Sequence, residues 1–595
     1  MATRVTTWTE ITAPAGTESL AADDGANKRI TPDTLKAYST LAKGQIAVTA
    51  SNGVTFYQCT ADGSTNDQGT IETALFAARD NLPAFVEFGP GRYGIYKGTT
   101  LAITQGSGNL IIKGNNTRLV WSKNGIPDNQ AYVALKIWPA VLPTVGDYAN
   151  YLQNVTVNGV DFEDLYPVAH EGGTGEQTHG IQLKYIQNAV IKNCLAYNIG
   201  DEAFDMAFVQ NGKIINNTGI ATPSPLLVGV ANTGAAAINL QNCRNVVVTN
   251  NTVQGSTVAG TKSALAGSSG IGLENVVSDP DDDILGIVIS NNLVRDFADA
   301  GILVNNADSG TEVKDSAITS NVIDNCGQGV GFVGNNMHRN FVVQANVIKG
   351  VAEGIKFDLL KENNLDCVVA FNQISDCTST GILCNGTRVS LSGNNIANGS
   401  ARAIFCSQGV DVSISGGIID DCGGVNLPDI QGGLGATSST SVTIDGVTIR
   451  NSNSDGRVTR YVDHVKNCHI HQTTPTYEQV STCTTVTGNV LNGGIRPNVG
   501  VSLVISGNHI DSGGTNLGGV TILTNPVASG ANNNSVISNN YIKNAATGTD
   551  HQCIRVVTGT TGCLITSNVA VNVGGVSIWD QSTNSIDANN QEVAE

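Results

Sequence analysis

From Ile318 to Gln408 short apolar runs alternate with polar corners, and the alternation recurs. The segments ITSNVIDNCGQGVGFVGNN (from Ile318), VVQANVIKGVAEGIKFDLL (from Val342), VVAFNQISDCTSTGILCNG (from Val368) and VSLSGNNIANGSARAIFCSQ (from Val389) share one plan. A short strand is followed by an Asn-containing turn, a second short strand, a variable loop and a third strand of Gly-Ile-x-apolar type. The turn Asn recurs at intervals of 25 (321 to 346), 26 (346 to 372) and 22 (372 to 394) residues. Apolar residues at every second position predict strands, and a period of this size predicts a solenoid.

The Leu lattice of leucine-rich repeats is missing. Alternating Val and Ile, with Asn and Gly at the corners, predicts an all-β parallel β-helix with one coil per repeat. Such a column has a continuous Ile/Val/Cys core and Asn ladders at its corners. Weaker copies run from NLIIKGNNTRLVW (Asn109) to GCLITSNVAVNV (Gly562) and GGVSIW (Gly574). The solenoid is therefore predicted over residues 101–595. An open β-helix end leaves strand edges unpaired. NDQGTIETALFAARDN (Asn66 to Asn81) predicts a short amphipathic helix to cover it, with Ile71, Leu75 and Ala78 on one face. Asn66, Asp67 and Thr70 are its candidate N-caps. Three parts result: an N-terminal segment (1–50), the start of the β-helix with its capping helix (51–100), and the solenoid (101–595).

Composition sharpens this picture. Sixty-eight Gly, 5% aromatic and 14% charged residues fit short strands and tight turns. The thirteen Cys show no C-x-x-C pair; Cys326, Cys377 and Cys422 share one repeat position, and Cys384 and Cys406 another. They are expected to be small apolar core residues, not disulfides or zinc ligands, in a protein made in a reducing cytoplasm. A net charge of −18 gives no general attraction to nucleic acid or to an anionic membrane. The opening MATRVTTWTE has no apolar h-region, and no segment approaches ~18 uninterrupted apolar residues. Neither a secretion signal nor membrane insertion is expected.

The segment TADGSTNDQGTIETALFAARDNLPAFVEFGPGRYGIYKG (Thr60 to Gly98) resembles the opening of the pectate-lyase-like β-helix family common in phage tailspikes. There a Gly-Asp-rich loop precedes a helix, and an aromatic-Pro-Gly-x-Tyr strand begins the first coil. Phe88, Pro90, Gly91 and Tyr93 match that strand, with Gly89 inserted. The resemblance implies a right-handed winding, a homotrimer and a bacterial surface polysaccharide as ligand. Residues 1–50, polar and with one brief helix predicted near Pro32, resemble the adaptor that joins a tailspike to phage tail or baseplate proteins. The expected place of action is the virion, with synthesis in the host cytoplasm.

Chemistry concentrates in NIGDEAFDMAFVQN (Asn198 to Asn211), where Asp201, Glu202 and Asp205 fall within five residues. Aligning the third strands places Gln182, Asp205, Asn239 and Gly272 in one vertical row. Strand alternation then points Phe204 and Met206 inward and Asp205 outward, so no carboxylate is expected to be buried. Rungs ~4.8 Å apart bring His179, Gln182 and Lys184 beside Asp205 from one side, and Asn239, Gln241 and then Glu274 from the other. Glu353, Lys356 and Asp358 follow further along the same face. A polar strip containing acids and amides suits an oligosaccharide.

Glycoside hydrolysis needs two carboxyl groups, about 5 Å apart for retention and about 6.5–9.5 Å for inversion. Glu202 and Asp205 are the candidate acid/base pair, with Asp201 assisting and the other residues of the strip binding sugar. Glu171 and Glu176, in a long insertion beside the strip, are held in reserve. Neither a metal nor a cofactor is expected: SDPDDDILG (from Ser278) lacks the Gly-interrupted spacing of a Ca²⁺ loop, and His464, His469 and His471 have no partner acids at ligand spacing.

Polygalacturonases, also β-helices, carry Asn-Thr-Asp-Gly, then Gly-Asp-Asp, Gly-His-Gly and Arg-Ile-Lys. Gly200-Asp201-Glu202 is similar to the second motif, but His179 stands where the first has its Asp, and Ala235-Ala236-Ala237 replaces the third. That mechanism is not supported. The competing expectations are a non-catalytic receptor-binding spike, a polysaccharide lyase and a secreted pectin-degrading enzyme.

Overall fold

The computed structural model is a long right-handed parallel β-helix. It describes residues 41–121, 132–165, 178–199, 202–221, 236–255, 269–275, 283–306, 311–334, 336–357, 364–399, 401–423, 429–431, 441–452, 458–472, 479–481, 483–496, 503–511, 520–522, 534–544, 553–556, 560–572, 578–581 and 583–594. One coil illustrates why the repeat winds as it does. Ala317–Thr319, Val322–Asp324 and Gln328–Gly334 are its strands. Ile318, Ile323, Val330 and Phe332 point inward and are at most 1% exposed. Each strand pairs in parallel with its counterpart one coil on, as Ile318 with Val343, Ile323 with Ile348 and Val330 with Ile355. Every apolar side chain is thus stacked between its equivalents, and backbone groups are paired along the column.

The turn Asn residues form the expected ladder. Asn321, Asn346, Asn372 and Asn394 are buried, and each Nδ2 donates to the Oδ1 of the next at 2.9–3.0 Å. Each also donates to a carbonyl of an adjacent coil, as Asn346 does to Ile318 O at 2.9 Å. Asn217, Asn251 and Asn292 extend the same row toward the N-terminus. A second ladder runs through Asn489, Asn508, Asn540, Asn568 and Asn590. Buried amides are tolerated because their donors and acceptors are used.

At the start of the column the helix Gln68–Arg79 buries Ile71, Ala74, Leu75 and Ala78. Asp67 occupies the N-cap position, but its carboxylate accepts from the N–H groups of Thr60 (2.8 Å), Ala61 (3.0 Å) and Gly94 (3.3 Å), tying the loop to the first coil. Asn66 Oδ1 takes the Gln68 N–H instead, at 3.1 Å. Tyr93 of the family-like strand is buried, and its hydroxyl donates to Gly89 O at 2.9 Å. Gly91 has φ +146, and a Cβ there would lie 2.7 Å from the Ala61 Cβ. The strand Gln45–Ala50, at the end of the N-terminal segment, pairs antiparallel with Gly53–Gln58 and Ala84–Phe88. The helix expected near Pro32 lies outside the described residues.

All thirteen cysteines are buried and none is in a disulfide, in keeping with their repeat positions. Among the described residues no helix is long and apolar enough to cross a membrane. Among the described residues the third strands of successive coils build a ladder of 18 parallel strands, from Thr99–Ile103 to Ile578–Asp580. Its outer face carries the candidate site.

Candidate functional site

The predicted row exists. Gln182 pairs with Asp205, Asp205 with Asn239, and Asn239 with Gly272. The row also extends backwards, to Lys136 beside Gln182 and Thr100 beside Lys136. His179 and Glu202 lie three residues before Gln182 and Asp205, His179 within the strand Thr178–Lys184 and Glu202 just ahead of Phe204–Ala207. Gly180 makes the approach to this rung possible, since a Cβ there would sit 2.3 Å from Ala203 O.

One expectation is overturned. Asp205 points away from the column core, yet it has no exposed surface. Polar neighbours cover it: Gln182 Nε2 donates to its Oδ2 at 2.6 Å, and Asn239 lies in register on the next rung. Asn239 is itself fully buried, and its Nδ2 donates to Glu202 Oε1 at 3.2 Å. It therefore supports a carboxylate and does not face a sugar. The His179 Nδ1 meets the other oxygen, Glu202 Oε2. Burial first, and the Glu202 charge second, push the Asp205 carboxyl up to about 7. Asp205 Oδ1 and Asn239 Oδ1 both have no hydrogen-bond partner among the described residues.

Over this cluster lies a cleft of about 420 Å³, lined by Lys97, Gly98, Thr100, Val133, Lys136, His179, Gln182, Lys184, Glu202 and Gln241. Glu202 is its carboxylate, and Asp205 lies beneath it. Lys97 Nζ is 3.2 Å from Glu72 Oε1, so the capping helix tethers one lysine of the lining. Lys136 Nζ lies 3.9 Å from the Trp138 ring centroid. Burial, then the charge of Lys184, lowers the pKa of Lys136. At the corner after Lys184 the rings of Tyr185 and Phe208 stack at 4.6 Å.

The cleft thus gathers His179, Gln182, Lys184, Glu202 and Gln241 from the predicted strip. Glu274 pairs with Gln241 on the next rung but is not part of its lining. Glu353 and Lys356 share a rung of their own, five steps along the ladder from Asp205 and ~24 Å away. They do not join it. Asp201, Asp358, Glu171 and Glu176 lie outside the described residues. Lys97, Thr100 and Lys136 were not anticipated. The signal for Lys136 was present in Ala134-Leu135-Lys136-Ile137, which has the same form as Ala203-Phe204-Asp205-Met206.

No protein-family model and no curated protein matches the sequence. Among solved structures, the chain is similar to the tailspike protein of E. coli bacteriophage HK620 in complex with a pentasaccharide. That match has 12% identity and a TM-score of 0.45, over 85% of this chain and 81% of that one. It is also similar to PfbA, a surface adhesin of Streptococcus pneumoniae, at 14% identity and a TM-score of 0.40, covering 70% and 89%. A hyperthermoactive exopolygalacturonase from Thermotoga maritima matches at 12% identity and a TM-score of 0.40, covering 69% and 89%.

Proposed function

We propose that the protein is a tailspike-type depolymerase that binds a bacterial surface polysaccharide along the ladder face and hydrolyses it in the cleft above Glu202. The observation that carries this reading is the unequal pair of carboxyls. Glu202 meets the cleft and is held by His179 and Asn239, while Asp205 lies beneath with its carboxyl raised to about 7. Two neighbouring acids with unlike surroundings are the usual means of keeping one ionised and one protonated at neutral pH. Glu202 is the carboxylate that meets the glycosidic bond. Asp205, beneath it and bonded to Gln182, holds the proton of the pair. His179, Gln182, Lys184 and Gln241 contact sugar. The family-like segment Thr60 to Gly98 supports the tailspike assignment, and with it a homotrimer joined to the virion through residues 1–50.

The test is cleavage and binding measured together on purified capsular polysaccharides and lipopolysaccharides, with product mass analysis. Glu202→Gln is expected to lower kcat by about 100- to 10,000-fold and to leave binding of intact polymer in place. Unchanged cleavage would remove Glu202 from the chemistry. Binding without cleavage by the wild type would leave a receptor-binding spike.

A lyase is the second reading, and Lys136 favours it. Its lowered pKa fits a base, and Lys97 and Lys184 in the same cleft fit the neutralisation of a uronate carboxylate. An unsaturated product absorbing in the ultraviolet, lost in Lys136→Gln but kept in Glu202→Gln, would select it.

A further inference from the structure

Of the three lysines in the cleft, Lys97 already has a carboxylate, that of Glu72. Lys136 and Lys184 do not: neither ammonium forms an ion pair or a hydrogen bond among the described residues. Both side chains are half-buried. The acids of the site are engaged elsewhere, Glu202 with His179 and Asn239, and Asp205 with the Gln182 amide. Lys113 and Lys314, equally half-buried, end on Glu87 and on Asp283 with Glu312.

Register brings the two free ammoniums together. Lys136 pairs with Gln182, and Lys184 follows Gln182 by two residues on the same face. Their Cα atoms are therefore ~8 Å apart, close enough for two long side chains to reach one group. The ring of Trp138 holds Lys136 Nζ at 3.9 Å. On the other side Lys184 pairs with Ala207, and Ala207 with Gln241, so a small side chain leaves room between two long ones. The Lys184 charge acts on Lys136 and, after burial, is the next cause of its lowered pKa. Two like charges held together in a half-buried cleft raise the energy of the empty protein, and an anion between them lowers it. In a chain with 50 acidic and only 32 basic residues, such a place goes against the average charge.

We infer that the place between Lys136 and Lys184, above Gln182, is a subsite for the carboxylate of an acidic sugar and that, granted the cleft is the polysaccharide site, the polymer it takes is acidic. One carboxylate oxygen meets each ammonium, and Lys136 serves as a charge, not as a base. Gln182 lies three residues along its strand from His179, ~10 Å. The acidic sugar therefore sits beside the bond that faces Glu202, not at it.

Binding is measured calorimetrically on the full chain carrying Glu202→Gln. The probes are purified capsular polysaccharides and lipopolysaccharides, each also in a form whose carboxyl groups have been reduced to primary alcohols. The polymer bound is expected to carry a uronic acid or another carboxylated sugar, and to bind about 10- to 100-fold more weakly once reduced. Adding Lys136→Gln/Lys184→Gln is expected to weaken binding of the native polymer by a similar factor and to leave that of the reduced polymer as it was. Lys192→Gln/Lys213→Gln removes the same charge from neighbouring strands of the other sheet, and is expected to change neither. A bound polymer without acidic groups would overturn the inference, as would unchanged binding of the native polymer in the Lys136/Lys184 variant. Equal losses for native and reduced polymer would also overturn it, since the lysines would then only shape the cleft. Wild type that binds an acidic polymer in the expected way but cleaves none would remove the hydrolase and keep the subsite. Wild type that cleaves a neutral polymer would keep the hydrolase and remove the subsite, and wild type that binds no polymer would remove both.

Discussion

Asp205 is a carboxyl placed where no water reaches it, and its protonation links the site to stability. Its folded pKa is raised from 3.8 to about 7. Below pH 4 it is protonated in both folded and unfolded chains and contributes no difference. Between about pH 4 and 7 the unfolded chain loses the proton while the folded one keeps it, so stability falls as pH rises through that window. The full cost is ~4 kcal/mol once both states are ionised. Asp205→Asn removes the titration. Its melting temperature is expected to gain on that of wild type as pH rises from 5 to 8, and thermal melts at several pH values read this directly. A constant offset between the two proteins across that range would mean that Asp205 is ionised throughout. The outward direction of Asp205 was legible in the sequence because strand alternation fixes it. Its burial was not, because the cover comes from Gln182 and Asn239, side chains whose reach across rungs a periodicity does not report.

The element that holds the coils in register is the corner Asn. Asn346 Oδ1 accepts from Asn321 N (2.9 Å) and Asn321 Nδ2 (3.0 Å), and its Nδ2 donates to Asn372 Oδ1 (3.0 Å) and Ile318 O (2.9 Å). Asn346→Ala leaves two donors of Asn321, its backbone N–H and one Nδ2 hydrogen, unmatched in the core. At ~1–3 kcal/mol for each buried group so stranded, the loss is several kcal/mol. Asn188 belongs to an exposed row with φ +61. Asn188→Gly, which tolerates that φ, is expected to change stability by less than about 0.5 kcal/mol. Urea unfolding of both variants separates a structural ladder from a decorative one. The buried ladder was legible because Asn recurs at a fixed place between two short strands. The coils carrying Thr100 and Lys136 were harder to place, because the strands Gly108–Trp121 and Leu152–Asp164 beside them are long and unbroken, unlike the short paired strands of later coils. With the repeat blurred there, the cleft's lysines went unassigned although Ala134-Leu135-Lys136-Ile137 carries the strand pattern.

On the scale of the whole molecule, each coil touches mainly its neighbours, so damage is expected to stay near its source. The thirteen buried thiols are spaced along the column from Cys59 to Cys563 and serve as built-in reporters of this. Burial pushes the thiols of Cys367, Cys377 and Cys563 upward, the first two to about 12, and only the opened chain offers them to an alkylating reagent. In a urea series with pulsed alkylation and peptide mass analysis, Asn346→Ala is expected to lower the labelling midpoints of Cys326, Cys367 and Cys377. The midpoint of Cys563, more than two hundred residues away in sequence, is expected to stay at its wild-type value. A common shift of every thiol would mean that the column unfolds as one cooperative body, and that the corner ladder transmits strain along its whole length. Local behaviour has a functional consequence as well. The cleft near Glu202 is lined only by residues between Lys97 and Gln241, so substitutions in later coils are expected to leave it folded and measurable.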